Sequence, residues 1–248
     1  MEDTNGADDH SAIHMSLQGK GGVGKSLAAS MLAQYFLARG KSVRCIDADP
    51  VNKTLFQYRA LEAKPLQLLQ DGAIDSRAFD QLMEELLTGV GPFIVDNGAA
   101  TFVPLWHYML EADVQQVLRG AGKRLYVHTV ITGGQALADT VTGFAKLAGT
   151  TADKSIIVWI NEFFGRVEHD GKRFVEMKAY TDHEAKVCGA VGIPRRNHET
   201  FGRDVEIVIA RKLTFEEAIR DGSFSIMTKQ RLKVVQRDLF EQLDLLRI

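Results

Sequence analysis

Along this chain the spacing of apolar and polar positions switches repeatedly between two periods. Short apolar runs rich in β-branched residues fall at 12–18, 42–47, 92–96, 124–131, 155–160 and 189–193, and each reads as a strand. Between and after them, helical spacing covers 25–39, 76–88, 105–119, 135–148, 175–187 and 226–246. Gly133-Gly134 announces the fourth helix, and Leu232, Val235, Leu239, Leu243 and Leu246 form an apolar stripe on the last. Strands alternating with helices predict an α/β fold with a doubly wound, mostly parallel sheet flanked by helices. One segment breaks the alternation. Phe163 to Val175 holds His169-Asp170-Gly171-Lys172 at its centre, and Asp-Gly is a strong type I′ turn signal, so a β-hairpin insertion is expected near 163–175. It would stand at the end of the 155–161 strand, as a lid, a docking surface or a plain surface loop.

In such sheets ligands gather beyond the carboxyl ends of the strands, and the first strand leads into the most informative stretch of the chain. Gly19-Lys20-Gly21-Gly22-Val23-Gly24-Lys25-Ser26 separates the apolar run Ile13 to Leu17 from the helical run that begins at Leu27. The pattern G-x-x-x-x-G-K-[ST] lets backbone N–H groups curl round a phosphate chain, while the following helix turns its positive end to the same anion. Lys25 is then placed to reach the β/γ-phosphates and Ser26 to ligate Mg²⁺. Lys20 lies too far along the loop to duplicate Lys25 and must point elsewhere.

Carboxylates close two further strands. In Ile46-Asp47-Ala48-Asp49-Pro50 the two aspartates share a face if the strand continues, and both are candidates for the metal–phosphate site, Asp47 the subordinate one. Phe93-Ile94-Val95-Asp96 is an apolar strand ending in a carboxylate, the form expected to hold Mg²⁺ directly or through water. No Gln or Glu base is evident, so hydrolysis would depend on positioning and charge neutralisation and would be slow for the protein alone.

The segment Lys20 to Ser26 resembles, without a gap, the K-G-G-x-G-K-[ST] loop of the deviant Walker A ATPases of the MinD/ParA type. That resemblance implies a P-loop ATPase that binds ATP and Mg²⁺ and forms a homodimer on ATP, Lys20 crossing to the partner's nucleotide. It implies that Asp49, in the matching D-x-D-P segment, positions the attacking water. Asn161 matches the asparagine that reads the adenine edge, and Pro194 follows the strand where relatives pass the base. The family's D-x-x-P switch is replaced here by Asp96-Asn97-Gly98-Ala99, so switch geometry transfers less securely. Longer blocks, Ile46 to Asn52, Val95 to Ala99, His128 to Leu137 and Ile226 to Leu232, resemble a branch of the family that serves conjugal DNA transfer of broad-host-range plasmids. This implies a cytoplasmic bacterial protein with a partner in the DNA-transfer machinery. Two other readings stay open: a small-molecule ATP-dependent enzyme of the related fold, against which Lys20 argues, and a module that holds nucleotide without turnover.

Composition limits these readings only at the edges. At 248 residues and 45% apolar content, residues 12–248 can form one domain, with the polar, acidic stretch 1–11 as a frayed tail and no secretory signal. A formal charge of −2 means that any non-specific DNA contact must come from a local patch; Arg195-Arg196-Asn197-His198 and Arg203 are the candidate, most simply read as a solvated basic loop. No run reaches the roughly 20 apolar residues of a membrane span, so no stable membrane insertion is expected, and the last helix is expected to pack on the body. Cys45 and Cys188 have no metal or disulfide spacing, and the histidines form no ligand set; His107 and His128 read as core residues.

Overall fold

The computed structural model describes residues 12–70, 73–75 and 77–248; the expected tail at 1–11 lies outside the described residues. In chain order the elements are β1 (Ala12–Ser16), α1 (Lys25–Ala38), β2 (Arg44–Ala48), β3 (Lys64–Pro65), β4 (Leu69–Gln70), β5 (Ala73–Ile74), α2 (Arg77–Thr88), β6 (Phe93–Asn97), α3 (Ala99–Glu111), α4 (Val114–Gly120) and β7 (Arg124–Thr132). They continue with α5 (Leu137–Ala148), β8 (Ile156–Asn161), β9 (Glu168–His169), β10 (Lys172–Arg173), α6 (Lys178–Thr181), β11 (Val187–Ile193), α7 (Arg203–Ala210), α8 (Phe215–Arg220) and α9 (Ile226–Leu246).

Seven strands form one sheet in the order β11-β8-β7-β1-β6-β2-β3, every pairing parallel. Every residue of β1 and β6 is buried, because helices cover both faces of the sheet and leave no polar side. Alternation along the strands divides the core in two. Ile13, Met15, Phe93, Val95, Val127, Ile156 and Val158 pack with α2, α3, α4 and α5, while Ile94, Tyr126, Val130, Trp159 and Val191 pack with α1, α8 and α9. The stripe on α9 belongs to the second layer: Leu232, Val235, Leu239 and Leu243 are buried, each contributing about 1.5–3 kcal/mol on burial, and Leu246 packs at its end. No helix among the described residues is long and apolar enough to cross a membrane.

The hairpin forms where the turn signal places it. β9 and β10 pair antiparallel around Asp170 and Gly171, whose φ of 49° and 72° are both left-handed, as a type I′ turn requires. Two helical expectations are corrected, and one unassigned stretch is filled. The helix expected at 105–119 starts at Ala99, carries Pro104 inside it, and breaks at Asp113, whose φ is 45°; α4 follows as a separate piece. The helix expected at 175–187 shrinks to the single turn α6, because the chain already enters β11 at Val187. Helices α7 and α8 fill the stretch left unassigned; Thr214 and Glu217 cap α8 reciprocally, Glu217 N–H to Thr214 Oγ1 at 3.2 Å and Thr214 N–H to Glu217 Oε2 at 2.8 Å, a pattern the sequence displayed.

Candidate functional site

β1 sits at the centre of the sheet, where the strand order reverses direction, so the loop that follows it opens into the crevice above the strand ends. Gly22 and Gly24 adopt φ of 74° and 106°, a conformation that costs glycine little, and Gly24 caps the amino end of α1. Asn161 braces this turn from β8. Its amide Nδ2 donates to Val23 O at 2.9 Å, and a Cβ at position 24 would lie 2.8 Å from that nitrogen, so the close approach requires glycine. Gln18 anchors the start of the loop, donating to Val130 O and accepting from Thr129 Oγ1 at 2.6 Å. On the other side Gly19 lies under the Phe102 ring of α3, and Gly21 lies near Ala99 at the start of that helix. Two helix amino ends, α1 and α3, therefore face the same loop.

The carboxylates meet here. Strand register sets Ser16 beside Asp96 and Asp47 beside Asp96, which puts both aspartates on the layer next to α1. Asp96 is 1% exposed, and burial, with Asp47 and Asp49 nearby, lifts its carboxyl to about 7. The Ser26 hydroxyl and the Lys25 ammonium favour its charge, yet neither carboxylate oxygen makes a hydrogen bond of normal geometry among the described residues. A buried carboxylate without partners, beside a serine at the head of a helix, is an oxygen-donor set that fits a hard divalent cation such as Mg²⁺. Asp47 is differently placed. Burial raises its carboxyl as well, but its oxygens accept the N–H groups of Asp49 at 3.0 Å and Phe56 at 2.8 Å, so it ties down the loop after β2. Asp49 is partly exposed; its carboxylate accepts from Val51 N at 2.9 Å, Asn52 N at 3.1 Å and Asn52 Nδ2 at 3.3 Å. It presses on Gly98, where a Cβ would stand 2.7 Å from the carboxyl carbon, so glycine after Asp96-Asn97 is what lets the segments that follow β2 and β6 touch. Thr101 lies at the same junction, its hydroxyl within 3.3 Å of Ala48 O and 2.5 Å of Asn97 Oδ1.

The two lysines part company. Lys25 is buried and donates to Lys20 O at 3.0 Å; burial lowers its pKa while Asp96 and Asp49 act in the opposite sense. Lys20 turns outward, and its ammonium pairs with Asp139 Oδ2 of α5 at 2.8 Å, both groups about half exposed. Sequence reasoning had not picked out Asp139, which is three positions past Ala136 in the first turn of α5.

A cavity of about 490 Å³ opens beside the loop, with Gly22, Gly24 and Leu27 on one wall and Asn161 and Pro194 on another. The expected edge-reading role of Asn161 meets a limit: the residue is 2% exposed, its Oδ1 accepts from Phe163 N at 3.1 Å, and one of its two N–H groups is held by Val23. It is chiefly a brace for the loop.

Residues 15–202 match the model of the CobQ/CobB/MinD/ParA nucleotide-binding domain. The chain belongs to that family. Two curated relatives, each called Protein TraL and each from Escherichia coli, are 48% and 47% identical over 233 residues, covering 94% of this chain and 97% of theirs. Among solved structures, a chain of the MinC:MinD cell division protein complex of Aquifex aeolicus matches with a TM-score of 0.53 at 16% identity, covering 93% of this chain and 96% of that one. MinD of the same organism matches at 0.50 and 18% identity, over 93% and 97%. At these identities the structures speak for the fold alone.

His107, His128, Cys45 and Cys188 are not among the residues lining this cavity, whereas Arg196 is. His128 is a core residue as expected, accepting from Trp159 Nε1 at 2.9 Å and lying 3.0 Å from His14 Nδ1. His107 is not: it is exposed and pairs with Glu111. In the basic loop Arg196 pairs with Asp238 at 2.9 Å and lies over the Phe201 ring. Burial pushes the Cys45 thiol up to about 12, and Cys188 is also raised, so both are unreactive thiols.

Proposed function

We propose that this chain is an ATP-binding, slowly hydrolysing ATPase that acts as a nucleotide-dependent dimer switch in plasmid conjugal DNA transfer. The observation that carries the reading is the buried Asp96 beside Ser26 and Lys25 at the head of α1, its oxygens making no hydrogen bond of normal geometry among the described residues. Gly19 to Leu27 would wrap the phosphates, Lys25 would leave Lys20 O for the β/γ-phosphates, and Ser26 with Asp96 would hold Mg²⁺, whose charge offsets the crowded carboxylates. Asp49 is the group for the attacking water, and its present bonds to Val51 and Asn52 must loosen for it to serve. That requirement supports slow turnover by the protein alone and acceleration by a partner.

Lys20 is the reason for two subunits. Its pair with Asp139 is exposed and worth at most about 1 kcal/mol, so it breaks readily when a second nucleotide comes within reach. The partners inferred are a second copy of this chain and a cytoplasmic component of the DNA-transfer machinery; the likeness to TraL supports the second. The commitments of Asp49 also favour a second reading, a nucleotide-holding module without turnover. Calorimetric titration with ATP in Mg²⁺ or in EDTA, followed by phosphate release, tests both. Binding that requires Mg²⁺ and falls at least tenfold in Lys25→Ala is expected, with slow phosphate release. Binding without any release favours the passive module, and no binding overturns the ATP reading.

A further inference from the structure

The cavity beside the phosphate loop is lined in part by two aromatic rings that no motif accounts for. Phe163 and Phe164 follow Asn161 at the end of β8 and are 54% and 56% exposed, their centroids 4.9 Å apart at 88°. Such a pair leaves ring faces open to solvent, an unfavourable arrangement unless something flat and apolar covers them.

We infer that Phe163 and Phe164 form the aromatic platform for the base of the bound nucleotide, the base stacking on the face of one ring and meeting the other at right angles, a role that rests on the reading of the loop as an ATP site. Position is the first argument. Both rings line the same cavity of about 490 Å³ as Gly22 and Gly24, so a ligand with its phosphates in the loop carries its base between these rings and the apolar wall of Leu27, Met31 and Phe201. Rigidity is the second. The segment is laid on the backbone of Gly133 and Gly134: a Cβ at position 133 would stand 2.4 Å from Gly165 O, and one at position 134 would stand 3.1 Å from Phe164 O. Phe163 N–H donates to Asn161 Oδ1 at 3.1 Å and Gly165 N–H to Glu162 O at 3.1 Å, so the platform is formed before ligand arrives. The third argument is what Asn161 cannot do. With its oxygen already accepting from Phe163 N–H and one of its own N–H groups held by Val23, Asn161 offers the base edge only a second lone pair and a single N–H, which leaves much of the base's affinity to its face.

The test compares Mg²⁺–ADP with Mg²⁺–tripolyphosphate, the second having phosphates and no base, on the full chain by calorimetry. ADP is chosen because dimerisation is assigned to ATP, so a contact between subunits does not enter the reading. The variants are Phe163→Ala with Phe164→Ala, and Phe163→Tyr with Phe164→Tyr, which keeps both rings. The alanine pair is expected to weaken ADP by about 5- to 150-fold and to leave tripolyphosphate within about twofold, and the tyrosine pair to restore ADP binding. Unchanged ADP affinity in the alanine pair overturns the platform while the ATP site stands. Equal loss of both ligands also overturns it, since the rings would then be shaping the loop. Wild-type protein that binds neither ligand removes the ATP site itself.

Discussion

Asp96 shows how a residue suited to binding weakens the fold that carries it. Its folded-state pKa of about 7 lies above the unfolded value near 3.9, so the native protein binds the extra proton and the ionised form is a cost to folding. That cost is complete above pH 7 and shrinks as pH falls toward the unfolded value. Asp96→Asn is therefore expected to raise the unfolding free energy of the nucleotide-free protein at pH 8 by about 2–4 kcal/mol. The gain should narrow below pH 7, and the added stability from Mg²⁺–ATP should vanish in the variant; urea unfolding at pH 8 and pH 5, with and without ligand, checks both. At this scale the site was legible wherever the signal is local. Lys25, Ser26 and Asp96 are placed by contiguous patterns, whereas the bond between Asn161 and Val23 joins residues 138 positions apart, and no spacing reveals it. Asp139 was invisible for the same reason: an aspartate in the first turn of a helix reads as an ordinary favourable charge until the fold brings Lys20 to it.

Among the elements, the strands were the easiest to read, because burial on both faces leaves nearly unbroken apolar runs. The helices failed where one residue outweighed the pattern. The helix expected from 105 begins six positions earlier at Ala99, with Pro104 inside it, where the strand has just ended and the amino end of the helix lies beside the loop. Between β1, β7 and β8 lies a feature that apolar periodicity hides. Trp159 donates to His128 Nδ1, which fixes the proton of His128 on Nε2 and directs it at His14 Nδ1. Burial holds His128 at about 3 and His14 well below its usual value, with His128 adding to the second. Both folded values lie below the unfolded 6.5, so this contribution to stability is whole above pH 6.5 and is lost as pH falls, by up to about 1.4 kcal/mol per unit for each ring. Its sign is opposite to that of Asp96. Nitrogen chemical shifts are expected to show both rings neutral at pH 5, with His128 carrying its proton on Nε2; a charged ring at pH 5 contradicts the network.

For the whole molecule, the alternating pattern was enough to give a parallel sheet flanked by helices, because strands apolar on both faces and joined through helices need cover on both sides. Strand order was not readable, since β1 lies between β6 and β7 through pairings made across the chain, and it is this order that centres the loop. The proposed assembly rests on one side chain. Among the described residues Lys20 pairs with Asp139 at the surface, a contact too weak to account for a lysine in the middle of a phosphate loop. Molar mass by light scattering, in Mg²⁺ with ADP and then with a slowly hydrolysed ATP analogue, tests this most directly for wild type, Lys20→Ala and Asp139→Asn. A monomer is expected in ADP and a dimer in the analogue, lost in Lys20→Ala and formed at lower protein concentration in Asp139→Asn. A mass indifferent to nucleotide and to Lys20 contradicts it.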